Sequence, residues 1–285
     1  MISTAFEYSR ATSLEDALAK LGAANGSGKL LAGGHSLVPL MKLRLSEPQT
    51  LIDIAHIPGL SGINAHDANI QIGACTVHHD VATSKLLLDK CPMLAETAGV
   101  IGDPQVRNRG TLGGSLAHAD PSADYPAAML ALDAEIRLRG PKGSRTVKAA
   151  DFFQGLFTVD LAPDELILGV EFRPVKAAAY AKLHQRASHF AIVGVAAALE
   201  VKSGTIQSAR IGLTGASSHA TRLTAVETAL AGKPLSAATI EAAAKLAGAG
   251  LEDLNSDIHA SEEYRRAMIP VFTERALTQA MARAH

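Results

Sequence analysis

Two short glycine-rich segments contain the residue types that could bind an anionic ligand. Residues 32–36 read AGGHS, and residues 110–115 read GTLGGS. Glycine permits positive φ and leaves space for a ligand near the backbone, so consecutive N–H groups can form a concave phosphate site. One such segment is commonly an ordinary turn. Two of them, each with hydroxyl and imidazole neighbours, indicate one shared ligand with a long anionic part.

The first segment precedes a predicted helix over residues 37–44. Ser36 is placed to cap this helix, and Pro39 is tolerated in its first turn. The N-terminus of the helix would add a favourable field for a phosphate group. The second segment, residues 111–115, is predicted to repeat the same arrangement of backbone donors.

Acidic residues follow the second segment. Asp124 could accept a hydrogen bond from a ribose hydroxyl, or it could only cap the following helix. Asp120 precedes Pro121, which keeps the backbone extended at that point. The GxGxxG fingerprint is absent from the sequence, so a Rossmann-type dinucleotide site is not predicted.

Composition narrows the class of protein. The chain has 285 residues, 47% of them hydrophobic, and a net charge of −1. It can build a large core in one or two domains, and it has no basic field to attract nucleic acid. The longest apolar run, residues 191–199, is too short to span a bilayer, and no signal-peptide pattern opens the sequence. We therefore expect a cytoplasmic protein without a transmembrane segment.

Cys75 and Cys91 are the only cysteines. An iron–sulfur cluster takes four thiolates, and a structural zinc site also needs several ligands. The chain is therefore predicted to hold neither, and its two cysteines are expected to be ordinary buried thiols.

Periodicity and turn signals predict an α+β protein. Apolar spacing predicts a helix over residues 14–21, with Thr12 and Glu15 at the spacing of a capping box. A single helix is predicted over residues 76–89, with Thr76 as its N-cap. Two strands near 191–201 and 208–215, the first apolar on both faces, precede three helices. Those helices are predicted at 223–231, 236–247 and 261–283.

Three motifs carry a family resemblance. AGGHSLVPLMKLRL, DPQVRNRGTLGGSLAHADPSADYPA and the late YRRAM resemble, in order and spacing, the FAD-binding medium subunits of the molybdenum hydroxylases, above all the flavoprotein subunit of aerobic carbon monoxide dehydrogenase. The resemblance implies a vanillyl-alcohol-oxidase (PCMH)-type FAD-binding domain at 1–175, with subdomains at about 1–55 and 56–175. It also implies a C-terminal α+β domain at 176–285, with a small antiparallel sheet and helices.

The resemblance also implies which residues hold FAD without a covalent bond. Many relatives have asparagine in place of Ser115, and a serine donates one hydrogen bond where an amide donates two. Phe190 stands where the carbon monoxide enzymes have a tyrosine close to the flavin. The full set of implied FAD-binding residues is Ala32, Gly33, Gly34, His35, Ser36, Leu37, Ile101, Thr111, Gly113, Gly114, Ser115, Ala117, His118, Asp120, Asp124, Leu168, Lys182 and Phe190.

Several of these side chains allow a second interpretation. His35 could bond covalently to the flavin, as a histidine does in some oxidases of this fold, although the resembling subunits hold FAD non-covalently. Lys182 could be a surface charge, or a cation that favours the reduced anionic flavin. His78, His79 and Asp80 could suggest a metal site, but adjacent helical residues point about 100° apart. We interpret those three as a solvated helix start.

The resemblance implies a function in electron transfer. A large molybdenum-cofactor subunit would oxidise the substrate, and a small subunit with 2Fe–2S clusters would pass electrons to the FAD of this chain, in a dimer of heterotrimers. The chain itself is expected to contribute no catalytic residue and no metal ligand. A stand-alone flavin oxidase of the same fold and a non-redox nucleotide-binding module are the alternatives. The substrate of the complex, whether carbon monoxide, an aldehyde or an N-heterocycle, is not determined by this sequence.

Overall fold

The N-terminal part of the chain is a small parallel α/β unit. The computed structural model describes residues 2–284. Strands β1 and β2 flank β3 in a three-stranded parallel sheet. The alternation of strands and helices predicted for the first 55 residues is confirmed. The elements are β1 (Glu7–Arg10), α1 (Leu14–Ala23), β2 (Gly28–Leu31), α2 (Leu37–Lys42) and β3 (Thr50–Asp53).

Helix α1 begins one residue later than its predicted capping box requires. Ser13 is the N-cap, and its hydroxyl accepts a hydrogen bond from the Asp16 backbone N–H at 3.1 Å. The Asp16 carboxylate in turn accepts from the Thr12 N–H at 2.9 Å. The predicted pairing of Thr12 with Glu15 is therefore wrong, because Ser13 and Asp16 have the same i, i+3 spacing and occupy the cap.

The middle of the chain forms a five-stranded antiparallel sheet, a two-stranded hairpin and seven short helices. The strand order of the sheet is β4-β5-β10-β6-β7, and β8 pairs with β9 in the hairpin. In chain order the elements are β4 (Ile63–His66), β5 (Asn69–Gly73), α3 (His78–Thr83), α4 (Lys85–Lys90), α5 (Pro92–Gly99), α6 (Pro104–Arg107), α7 (Leu112–His118), α8 (Asp124–Ala131), β6 (Glu135–Gly140), β7 (Gly143–Lys148), α9 (Ala149–Phe152), β8 (Phe153–Gly155), β9 (Thr158–Val159) and β10 (Leu166–Phe172).

The single helix predicted over residues 76–89 is wrong in two respects. Ser84 has extended backbone angles (φ −63°, ψ 116°), which ends α3, and its hydroxyl accepts from the Leu87 N–H to cap α4. Thr76 caps neither helix, because its hydroxyl accepts from the Gly62 N–H at 3.0 Å instead. A serine that can cap a new helix thus interrupts an otherwise continuous helical pattern.

The C-terminal part is an antiparallel sheet covered on both faces. Alternate residues of β11 and β12 belong to two different hydrophobic clusters, so the strand predicted to be apolar on both faces is confirmed as buried. Helix α12 packs on β11 and β12, while α8 packs on β12 and β13. The elements are β11 (Ala178–His184), β12 (Ala191–Lys202), β13 (Thr205–Thr214), β14 (Thr221–Arg222), α10 (Thr224–Leu230), α11 (Ala237–Ala244) and α12 (Glu262–Met281).

Two further expectations concern residues outside the site. Cys75 and Cys91 are both free and buried, as predicted, and burial raises the pKa of the Cys75 thiol to about 12. Within residues 2–284, no helix is long and apolar enough to cross a membrane.

Candidate functional site

The two glycine segments meet in the structure. A Cβ added to Gly33 would lie 2.1 Å from the Arg109 carbonyl oxygen and 2.9 Å from the Gly110 Cα. Only glycine allows this approach. Gly34 adopts a left-handed conformation with φ +73°. The segments, which are almost eighty residues apart in sequence, therefore lie against each other, as their residue types predicted. We call the surface where they meet the glycine cleft.

The first segment offers a row of unused backbone donors. Across the part of the chain that the structure describes, the N–H groups of residues 33–37 have no hydrogen-bond acceptor. Ser36 has helical backbone angles (φ −104°, ψ −50°), and its hydroxyl does not cap α2. The predicted cap is therefore wrong, because a cap residue normally has extended angles that let its side chain reach back to the first turn. The predicted helix over 37–44 also ends earlier, at Lys42.

The second segment uses its backbone donors inside the protein. The Gly113 N–H donates to the Ala74 carbonyl at 2.8 Å, and the Ser115 N–H donates to the Thr111 carbonyl at 3.0 Å. The Gly114 N–H donates to the Thr111 hydroxyl at 3.1 Å, which caps α7. The prediction that this segment repeats the donor arrangement of the first is therefore wrong. Gly113 is needed for packing, since its Cβ would lie 2.5 Å from that of Ala74.

Helix α7 instead presents an open face made of small residues. Gly114 and Ala117 are exposed, while Ser115 and His118 are half-buried. A Cβ on Gly114 would approach only the Thr111 hydroxyl, at 2.8 Å. Burial lowers the pKa of His118, whose ring lies 5.1 Å from that of Phe157. Seven helical residues span about 10 Å, so this face leads from the glycine cleft towards Asp120 and Asp124.

A buried ion pair lies beyond the end of α7. The Lys182 ammonium is 2.9 Å from the Asp124 carboxylate, and the two side chains are only 5% and 4% exposed. Tyr180 donates its hydroxyl to the same carboxylate at 2.5 Å, and Lys182 also donates to the Val100 carbonyl at 3.0 Å. Lys182 is therefore not a surface charge. Asp124 does not cap α8. Burial raises the pKa of Asp124, and the adjacent Lys182 charge opposes that rise.

The structure also places the remaining predicted residues. Leu168, on a bulge of β10, and Ala32 both pack against the same hydrophobic cluster of the N-terminal part. Ile101 follows Val100, the residue that Lys182 contacts, and it is half-buried. Phe190 is 46% exposed and ends the turn before β12. Asp120 accepts from the Ser122 N–H at 2.8 Å. The glycine segments, α7 and the Asp124–Lys182 pair follow one another as a band, and the contacts of individual residues with FAD stay predictions.

One residue beside the cleft was interpreted wrongly from sequence. His78 is only 5% exposed, whereas the helix start was expected to be solvated throughout. The backbone N–H of His78 donates to the Gly110 carbonyl at 2.9 Å, and the imidazole ring lies against Gly110 at the start of the second segment. His79 and Asp80 are exposed as predicted. The i, i+3 spacing of His78 and Val81 could have indicated this burial, because the two residues share one face of α3 and are its buried residues.

The arrangement fits the pyrophosphate of a dinucleotide. Such a group needs several converging donors and a backbone without obstructing side chains. The free N–H groups of residues 33–37 supply the donors, and Gly114, exposed on α7, leaves the backbone there without an obstructing side chain. Arg109 and His35 are exposed nearby, and the Arg109 guanidinium adds a positive charge.

Comparisons with known proteins agree with this geometry. A family model described as the FAD binding domain in molybdopterin dehydrogenase matches residues 4–175, and the CO dehydrogenase flavoprotein C-terminal domain matches residues 178–280. The carbon monoxide dehydrogenase medium chain of Hydrogenophaga pseudoflava is 40% identical, with 99% of each chain covered. A 6-hydroxypseudooxynicotine dehydrogenase complex subunit alpha from Paenarthrobacter nicotinovorans is 38% identical, covering 98% of this chain and 95% of the relative.

Solved structures give the same result. The carbon monoxide dehydrogenase of Hydrogenophaga pseudoflava that lacks the Mo-pyranopterin moiety superposes with a TM-score of 0.95 and 41% identity, covering all of both chains. Quinoline 2-oxidoreductase from Pseudomonas putida 86 gives 0.93 and 33% identity, covering 100% of this chain and 99% of the other. The fold and site define a flavoprotein subunit of an oxidoreductase. The chain belongs to the family of FAD-binding medium subunits of the molybdenum hydroxylases, which confirms the resemblance, the fold class and the FAD cofactor inferred from sequence.

Proposed function

We propose that this chain holds FAD non-covalently along the band that runs from the glycine cleft to Lys182, and that it transfers electrons within a molybdenum hydroxylase. Electrons would arrive from an iron–sulfur subunit and leave to a quinone, oxygen or another external acceptor. One observation carries the proposal. The N–H groups of residues 33–37 are unused at the place where Gly33 contacts the second segment, and a row of free backbone donors is what binds a pyrophosphate.

Different residues would contribute different parts of the binding. The amides of the first segment and the Ser36 hydroxyl would bind the pyrophosphate, and the open face of α7 would let the cofactor lie close to the backbone at Gly114. The buried ion pair of Asp124 and Lys182 would lie next to the flavin ring of FAD. Bound FAD supplies the ability to accept electrons from one carrier and release them to another. The chain binds and orients the ring and limits its contact with water.

Partners supply the remaining chemistry in this proposal. Relatives of this chain are named as a medium chain or as a subunit of a dehydrogenase complex. We infer a large subunit with the molybdenum cofactor and a small subunit with 2Fe–2S clusters, assembled as a dimer of heterotrimers. The complex would lie in the cytoplasm, at the inner face of the membrane if its acceptor is a quinone. The relatives are named for carbon monoxide, 6-hydroxypseudooxynicotine, nicotine and glyceraldehyde, so the substrate class stays open.

Purification from the native host tests the proposal. We expect about one FAD per chain and two further subunits that co-purify with it. Acid precipitation should release all the flavin into the supernatant, whereas flavin fluorescence that stays with the denatured chain would show a covalent bond to His35. A flavin-bearing chain that oxidises a substrate without partners would support the stand-alone oxidase. A chain that binds no flavin would overturn the assignment.

A further inference from the structure

His78 has one ring nitrogen fixed by the protein and one that is open. Nδ1 lies 3.2 Å from the Tyr125 hydroxyl. Nε2 has no hydrogen-bond partner among residues 2–284, yet it is not one of the fully enclosed side-chain atoms that lack a partner. It is therefore accessible to solvent, although the side chain as a whole is buried.

The environment of Tyr125 determines which nitrogen carries the proton. Tyr125 is fully buried, and within the described chain its hydroxyl has no hydrogen-bond partner except His78. A buried hydroxyl needs an acceptor for its proton, and Nδ1 is the acceptor present. A neutral imidazole that accepts at Nδ1 carries its hydrogen on Nε2. Burial lowers the pKa of His78 to about 4, and the nearby positive charges of His35 and Arg107 act in the same direction, so the ring is neutral near pH 7.

The open nitrogen lies at the junction of the two glycine segments. A Cβ on Gly110 would be 2.6 Å from Nε2, so any larger residue at position 110 would cover it. Gly110 and the preceding Arg109 are also the residues whose backbone contacts Gly33. The Nε2–H is thus placed beside the free amides of residues 33–37, and it can act with them as one more neutral donor.

We propose that His78 binds the dinucleotide directly, with its Nε2–H donating to an oxygen of the pyrophosphate while Tyr125 holds the tautomer. The proposal rests on the function proposed above, because it requires FAD in the glycine cleft. It assigns a ligand contact to a residue outside both glycine segments. It also explains why position 110 is a glycine, since its missing side chain leaves the imidazole uncovered.

The test compares His78→Phe with His79→Phe in the purified chain. The first variant keeps a ring but removes the donor, and the second changes an exposed neighbour on the same helix. We expect His78→Phe to weaken FAD binding, measured by flavin fluorescence, roughly tenfold or more. At least one of the two ³¹P resonances of bound FAD should also move. His79→Phe should leave both measurements unchanged. Wild-type affinity and unshifted resonances in His78→Phe would overturn the proposal.

A second measurement covers the case in which His78→Phe does not fold. In the ¹⁵N-histidine spectrum of the wild-type chain, FAD should move the Nε2–H signal of one neutral histidine downfield, and Tyr125→Phe should weaken that change. No Nε2–H signal that responds to FAD would contradict the proposal. Wild-type protein that binds no FAD would contradict the proposed function itself, so the two failures are distinguishable.

Discussion

At the scale of single residues, the contact between the two segments depends on Gly33. Gly33→Ala should weaken FAD binding at least tenfold and destabilise the chain by about 1–3 kcal/mol, because its Cβ would lie 2.1 Å from the Arg109 carbonyl oxygen. Gly22→Ala, on the exposed face of α1, is the matched control, since its Cβ would have no atom within 4 Å. Flavin fluorescence titration and urea unfolding measure both effects. Equal affinities in the two variants would contradict the close approach of the segments.

The buried ion pair predicts opposite changes in flavin potential. Asp124→Asn leaves the Lys182 charge without its carboxylate partner and should raise the midpoint potential. A difference of about 1–2 kcal/mol corresponds to roughly 20–45 mV for a two-electron couple. Lys182→Met should lower the potential by less, because burial raises the pKa of Asp124 and the carboxyl can take up a proton. Redox titration at full flavin occupancy measures both. Unchanged potentials in both variants would place the pair away from the ring.

At the scale of helices, the two segments differ in how their helices begin. Thr111 caps α7 through the Gly114 N–H, so Thr111→Ala should cost about 1 kcal/mol in stability. Ser36 makes no cap bond to α2, and Ser36→Ala should stay within about 0.5 kcal/mol of wild type. Urea unfolding of the three proteins compares them directly. A larger loss in Ser36→Ala than in Thr111→Ala would contradict the observed caps.

Sequence patterns predicted the long elements better than their ends. Apolar periodicity identified α1, and the run of apolar residues identified β12 as a strand buried on both faces. The break at Ser84 was missed, because it depends on one residue that leaves the helical conformation in order to cap the next helix. Helix propensities of single residues do not predict whether a serine continues one helix or caps the next.

The site was predictable where its chemistry is local. Two glycine pairs with polar neighbours indicated a shared anion site, and the structure brings them together. The use of the Gly113 N–H could not be predicted, since its acceptor is Ala74, on another element. The burial of His78 could have been predicted from its i, i+3 spacing with Val81. Its hydrogen-bond partner could not, since Tyr125 lies 47 residues away in sequence.

At the scale of the whole molecule, the C-terminal sheet holds the segment that links α7 to α8. The Gly215 N–H donates to the Pro121 carbonyl at 2.8 Å, and the Ala191 N–H donates to the Ser122 carbonyl at 3.1 Å. The buried Arg265, from the YRRAM motif, donates to the Gly215 carbonyl at 2.8 Å. This motif therefore stabilises the junction between the sheet and the segment that precedes α8.

Thr214 connects that sheet to the backbone directly before Asp124. Its buried hydroxyl lies 2.9 Å from the Pro121 carbonyl and 2.7 Å from that of Ala123. Thr214→Val should cost about 1 kcal/mol in stability through the lost hydrogen bond, and it should speed FAD release because the segment carrying Asp124 is held less firmly. The control is Thr273→Val on α12, where an equally buried hydroxyl has no partner within residues 2–284.

Thr273→Val removes this unpartnered hydroxyl. It should leave the chain as stable as wild type or stabilise it by roughly 1 kcal/mol, with no effect on FAD release. Urea unfolding and the rate of flavin fluorescence recovery on dilution measure the two quantities. If both variants lost the same stability and released FAD at the same rate, the hydroxyl bonds of Thr214 would not be what joins the C-terminal sheet to the site. If only Thr214→Val changes, the sheet supports the cofactor through backbone it holds in place, although none of its strands contributes to the glycine cleft.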